Sequence, residues 1–106
     1  MSQHPQSPKS KIKVQLDPDI RDLIPGFLDN RRKDIVALQT ALVKNDFATI
    51  RMLGHTMKGD GGGYGFDAIS AIGAVIETAA KQKDASRIRE EIARLADFLE
   101  RVEVTY

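Results

Sequence analysis

The chain has 106 residues, 42% of them hydrophobic, and a formal net charge of +1, which allows one domain with a modest core. It has no cysteine, which excludes disulfides, thiolate metal sites and cysteine nucleophiles. Interspersed acids and bases leave no nucleic-acid footprint, and no apolar run approaches the roughly 18 residues of a membrane span or forms a secretion signal, so a soluble, cytoplasmic, monomeric domain is expected.

Residues 1–11, polar and proline-bearing, are expected to form a disordered tail with His4 solvated in it, ahead of one helical domain over 12–106. Met1 and this tail read as the start of a stand-alone chain, although a segment of a larger sensor kinase stays open. The stretch IKVQL, 12–16, alternates apolar and polar residues. Nothing downstream alternates to pair with it, so it is expected to be an extended lead-in packed on helices.

Asp17-Pro18 reads as a cap followed by proline at the first helical position, starting a short helix to about residue 23. Pro25 restarts the chain in a longer helix to about residue 44, with Leu28, Ile35, Leu38 and Leu42 inward and Phe27 near its start. Arg31, Arg32, Lys33 and Asp34 interrupt that stripe and read as solvated surface. Asn45-Asp46 caps a third helix carrying Phe47, Ile50, Leu53 and Met57 on one face. Asp67 opens a fourth, with Ile69, Ile72, Ile76 and Ala79-Ala80 at helical spacing, and Lys83-Asp84 turns the chain into the last. That helix has a one-sided stripe of Ile88, Ile92, Leu95, Leu99 and Val102. Short connections between amphipathic helices predict an all-α fold, an antiparallel up-down four-helix bundle with a short N-terminal helix.

The stretch LGHTMKGDGGGYGFD, 53–67, holds six of the eight glycines beside one histidine and one lysine. Each glycine inside a helix costs about 1 kcal/mol relative to alanine, so their concentration needs a reason. With about 100° per residue and Ile50 at zero, Leu53 falls at about 300°, Met57 at about 340° and Gly61 at about 20°, a core face. His55 falls at about 140°, Gly59 at about 180° and Gly62 at about 120°, on the solvent side, with Lys58 at about 80° and Arg51 at about 100°. The imidazole therefore projects outward, with a cation one turn away and no side chains at i+4 and i+7 to screen it. A broad partner surface could approach the ring closely. Gly61 would permit close helix packing, while Gly63 and Gly65 suit the helix end and its turn. On residue types alone, the stretch reads equally well as a frayed helix end with an incidental surface histidine.

His55-Thr56-Met57-Lys58-Gly59, with Gly65 six further on, resembles the H-x-x-K-G-x-x-x-x-x-G signature of histidine phosphotransfer (Hpt) domains, intermediates of two-component phosphorelays. Asp46-Phe47 before it and Ile76-Glu77 after it also resemble the family, and the likeness covers about 17–102. Asp60 and the glycines at 61–63 depart from its usual pattern and are expected to loosen the helix end. The resemblance implies that His55 is phosphorylated through its outer ring nitrogen and that Lys58 offsets the phosphoryl charge. It implies that Gly59 gives a partner room and that Glu77 accepts a hydrogen bond from the other ring nitrogen. It also implies no cofactor of the chain's own: the partner, a response-regulator receiver domain standing alone or within a hybrid sensor kinase, supplies an aspartate and bound Mg²⁺. The docking face is expected around His55, with Arg51, Met52, Gly59 and Gly62, and with Arg31, Phe27 and Leu28 at its edge, although the last two read better as core.

Phosphoryl transfer between histidine and aspartate passes through a loose, charge-spread transition state, so positioning and electrostatics do most of the work. Neutral imidazole is both nucleophile and leaving group, which suits a reversible carrier rather than a free-standing enzyme. The glycines contain neither a dinucleotide nor a P-loop fingerprint. A helical adaptor docking through the same face without phosphate is the rival reading. Metal binding through His55 and Asp60 lacks a second ligand pair.

Overall fold

A computed structural model of the chain describes residues 10–106, so the tail expected over 1–11 falls outside it except for Ser10 and Lys11. The order is β1 (Ile12–Gln15), a 3-10 helix (Pro18–Leu23), α1 (Ile24–Val43), α2 (Phe47–Gly63), α3 (Asp67–Lys81), α4 (Ala85–Arg101) and β2 (Val102–Thr105). Four helices make up most of the fold, and their ends lie close to those read from the sequence.

Three interhelical turns share one construction. The middle residue of each has positive φ: Asn45 at 54°, Gly65 at 88° and Lys83 at 55°. The next amide reaches back to close the helix just ended, Asp46 N to Ala41 O at 2.8 Å, Phe66 N to Gly61 O at 2.7 Å and Asp84 N to Ala79 O at 2.9 Å. This is the Schellman arrangement, which satisfies carbonyls that a helix end would leave bare. Asp46 then caps α2 by accepting from Thr49 N at 3.1 Å and Thr49 Oγ1 at 2.6 Å, and Asp84 caps α4 by accepting from Arg87 N at 3.1 Å. The glycines at 61–63 do not loosen the helix: α2 runs through Gly63 and ends in the same turn as the others.

Two further expectations are corrected. The IKVQL stretch is not an unpaired lead-in: β1 pairs in parallel with β2, Ile12 opposite Val102 and Val14 opposite Val104. Its partner, VEVT, also alternates and is rich in β-branched residues, so Val102 leaves the α4 stripe and begins a strand. Arg101 fastens this junction by donating to Ser10 O at 2.8 Å and Ser10 Oγ at 3.1 Å. Arg31 is not solvated: it is 7% exposed, with its guanidinium 4.6 Å from the centre of the Phe27 ring. Its Nε donates to Asp34 at 2.8 Å, and Nη1 lies 3.9 Å from Asp60. A planar guanidinium can stack on an aromatic face and still satisfy its edge, which lets it bury where lysine would not. Burial pushes the Asp34 carboxyl up despite the opposing pull of Arg31.

Leu38, Ile50, Met57, Ile69, Ile76 and Leu95 are fully enclosed at the centre. Phe27 stacks on Phe66 at 5.2 Å, Phe66 meets Phe98 edge-on at 6.3 Å, and half-buried Tyr64 rests 4.5 Å from Phe27. Phe27 therefore belongs to the core, with Leu28 packed against it.

At three points of the α2–α3 crossing a glycine faces the backbone of the other helix. A Cβ on Gly54 would lie 2.7 Å from Glu77 N, one on Gly61 2.6 Å from Ser70 N, and one on Gly73 2.5 Å from Lys58 N. Backbone therefore meets backbone, and any side chain there must push the helices apart. By contrast, a Cβ on Gly59 would meet nothing within 4 Å. Gly73→Ala should destabilise the fold by about 1–3 kcal/mol through overpacking, partly offset by helix propensity. Gly59→Ala should stabilise it by roughly 0.5–1 kcal/mol. Urea unfolding of the two variants checks the contrast; similar changes in both would contradict the close crossing.

Candidate functional site

His55 lies near the middle of α2, and its side chain is 68% exposed. Its Nδ1 is 3.0 Å from Glu77 Oε2 on α3. Lys58, one turn along α2, donates from Nζ to Glu77 Oε1, also at 3.0 Å. One carboxylate thus holds both residues, one on each oxygen. The Glu77 side chain is only 12% exposed, so it sits beneath the two α2 side chains rather than beside them in water.

The glycine crossing explains this placement. Gly54 and Gly73 bring the α3 backbone at Glu77 against α2 one turn before Lys58, and Ser70 Oγ donates to Lys58 O at 2.7 Å further along the same seam. With α3 this close, a glutamate side chain reaches both residues. The hydrogen bond from Lys58 first, and that from His55, hold the Glu77 carboxyl below the ordinary carboxylate range although burial opposes this. An ionised carboxylate only accepts, so the bonded Nδ1 must carry the ring proton. In the neutral ring the other nitrogen, Nε2, then keeps its lone pair.

A family model for the Hpt domain matches residues 22–105. The chain belongs to the Hpt domain family. No curated protein and no solved structure matches it. Hpt domains are phosphocarrier modules that serve histidine phosphotransfer in phosphorelays and interact with receiver domains.

In this Hpt domain the residues expected at the site fall into two groups. His55, Lys58 and Glu77 form the bonded triad. Arg51 and Met52, both exposed, line a shallow depression with Ala48, His55 and Glu77. Gly59 and Gly62 leave the helix surface beyond the ring bare: a Cβ at Gly62 would meet only Ser70 Oγ, at 3.7 Å. Arg31 is not in this group, since it is buried against Phe27, with Asp34 and Asp60 beside it. Among the described residues no three histidine, aspartate or glutamate side chains gather where a metal ion could sit. No described helix is long and apolar enough to cross a membrane.

Sequence reasoning missed Gly54, Ser70 and Gly73, which position the triad without touching a reactant. The available signals were Gly54 and Gly61 one heptad apart on the core face of α2, and an isolated glycine at 73 amid isoleucines.

A folded-state pKa below the unfolded value means that Glu77 contributes stability fully above the ordinary carboxylate value of about 4.3. That contribution is lost as the pH falls through the depressed folded value. Glu77→Gln should therefore flatten the acidic limb of the stability curve, measured by urea unfolding between about pH 2.5 and 7. A variant curve parallel to the wild type would contradict the network.

Proposed function

We propose that this Hpt domain accepts a phosphoryl group on Nε2 of His55 from the phosphoaspartate of a receiver domain and passes it to another receiver. The observation that carries this reading is the Nδ1–Glu77 hydrogen bond on an outward-facing ring. It fixes the tautomer whose exposed nitrogen holds the lone pair, and it orients that nitrogen toward a partner. An adaptor that merely docked a partner would have no use for a partly buried carboxylate bonded to both the histidine and the lysine.

In the forward step the Nε2 lone pair forms the N–P bond as the P–O bond to the aspartate breaks, and the carboxylate leaves. Lys58 has three N–H donors and uses one on Glu77, so two can face the incoming phosphoryl oxygens. Arg51 adds a second cation at the rim of the depression. The partner would contribute the aspartate and its Mg²⁺, and the bare surface at Gly59 and Gly62 would admit it. In this reading the domain is a carrier and not an enzyme, acting in the cytoplasm as a monomer. Its receiver stands alone or belongs to a hybrid sensor kinase. Its helices are taken as an antiparallel up-down bundle, which the three-residue turns favour.

Incubation with a phosphorylated receiver should give an acid-labile, base-stable adduct that His55→Gln abolishes while the helical circular dichroism persists. No adduct on the wild type across several receivers would favour the adaptor. Lys58→Ala should slow transfer by roughly tenfold or more, as loss of a donor to transition-state charge does. Gly62→Trp should weaken receiver binding by about tenfold, the effect of losing ~1.4 kcal/mol of contact. Unchanged transfer or affinity would remove the role assigned to that residue.

A further inference from the structure

A phosphorylated imidazole can keep or lose the proton on its other nitrogen, and the two forms release phosphate differently. With the proton, the ring departs as neutral imidazole. Without it, the ring must depart as an anion, a much poorer leaving group. The group that faces Nδ1 therefore governs whether the stored phosphoryl can move on.

Here that group is a carboxylate. Glu77 Oε2 lies 3.0 Å from Nδ1, and its other oxygen is held by Lys58, so the carboxylate cannot readily swing away from the ring. The charged groups around the ring are Arg51 and Lys58 from α2 and Glu77 from α3, with Lys81 one turn beyond Glu77. Of these only Glu77 is negative. We infer that Glu77 keeps the Nδ1 proton on the phosphorylated ring, so that His55 stores its phosphoryl group as a phosphoimidazolium and exchanges it without moving a proton. This rests on the phosphoacceptor reading of His55.

The balance closes in both directions. As Nε2 attacks phosphorus and the aspartate P–O bond breaks, the ring goes from neutral to singly positive with its Nδ1 proton unmoved. On return, an aspartate oxygen attacks phosphorus, the N–P electron pair goes back to Nε2, and neutral imidazole remains. Each new charge meets an opposite one already in place: the ring cation faces Glu77, and the phosphoryl oxygens face Lys58. No base is needed, and loss of the Nδ1 proton would work against return.

The test uses the full chain with ¹⁵N-labelled histidine, phosphorylated chemically with phosphoramidate so that no receiver is involved. Nitrogen and phosphorus resonances of phospho-His55 are followed against pH in the wild type, Glu77→Gln, Lys58→Gln and the urea-unfolded chain. In the wild type the Nδ1 proton should be lost about one pH unit or more above Glu77→Gln and the unfolded chain, as an opposite charge nearby dictates. Lys58→Gln, which frees Glu77 from its competing cation, should move the loss further upward. The decline of hydrolysis with rising pH should shift with the titration. A wild-type ring that titrates with the unfolded chain overturns the inference even if Glu77→Gln does not fold. Titration together with a folded Glu77→Gln overturns it too, as does phosphorylation on Nδ1 or a His55 that phosphoramidate leaves unmodified. Failure of every receiver to transfer phosphate, with the titration as expected, would instead refute the relay function alone.

Discussion

A carboxylate that is nearly removed from water and bonded on both oxygens is the constraint on which this Hpt domain is organised. Glu77 joins α3 to two side chains of α2, and neither bond forms unless the helices lie almost backbone to backbone. Glycine at 54, 61 and 73 makes that approach, and Ser70 fastens it at the Lys58 carbonyl. Removing a carboxylate from water is unfavourable unless its oxygens are occupied. Here the partners that occupy them are the groups proposed to do the chemistry, so the interaction that stabilises the crossing also sets the ring.

The rest of the fold keeps this pair of helices in place without crowding it. Three Schellman turns, two reinforced by aspartate caps, fix where each helix stops, so that His55 and Glu77 meet at one level although 22 residues separate them. The aromatic stack of Phe27, Phe66 and Phe98 and the ion-paired Arg31 fill the bundle beside α1, and the small parallel sheet ties the beginning of the described chain to its end. Packing bulk is concentrated there, while the helix surface beyond His55 is left as bare backbone.

Much of this was legible in the sequence because it is local. Helix boundaries follow from Asp17, Asp46 and Asp84 and from hydrophobic periodicity, and the outward aim of His55 follows from counting residues along one helix. What stayed hidden depends on pairs distant in the chain. The partner of Ile12–Gln15 lies at Val102–Thr105, so no hairpin turn announces it, and four alternating residues after an amphipathic helix read as its continuation. Arg31 resembled a solvated charge because its burial requires Phe27 below and Asp34 and Asp60 at its edge. The role of Gly73 was hidden too, since only the facing backbone of Lys58 shows why a methyl group cannot fit. The run of glycines misled in the opposite direction: propensity alone suggests fraying, whereas packing and the turn at Gly65 carry α2 to Gly63.

On this reading Glu77 selects the ring tautomer before any phosphate arrives. Histidine-selective ¹⁵N correlation spectra of the unmodified chain, recorded where the imidazole is neutral, report that tautomer directly. His55 should carry its proton on Nδ1, with Nε2 showing the shift of an unprotonated ring nitrogen. A His55 protonated chiefly on Nε2, as a freely solvated imidazole prefers, would contradict it.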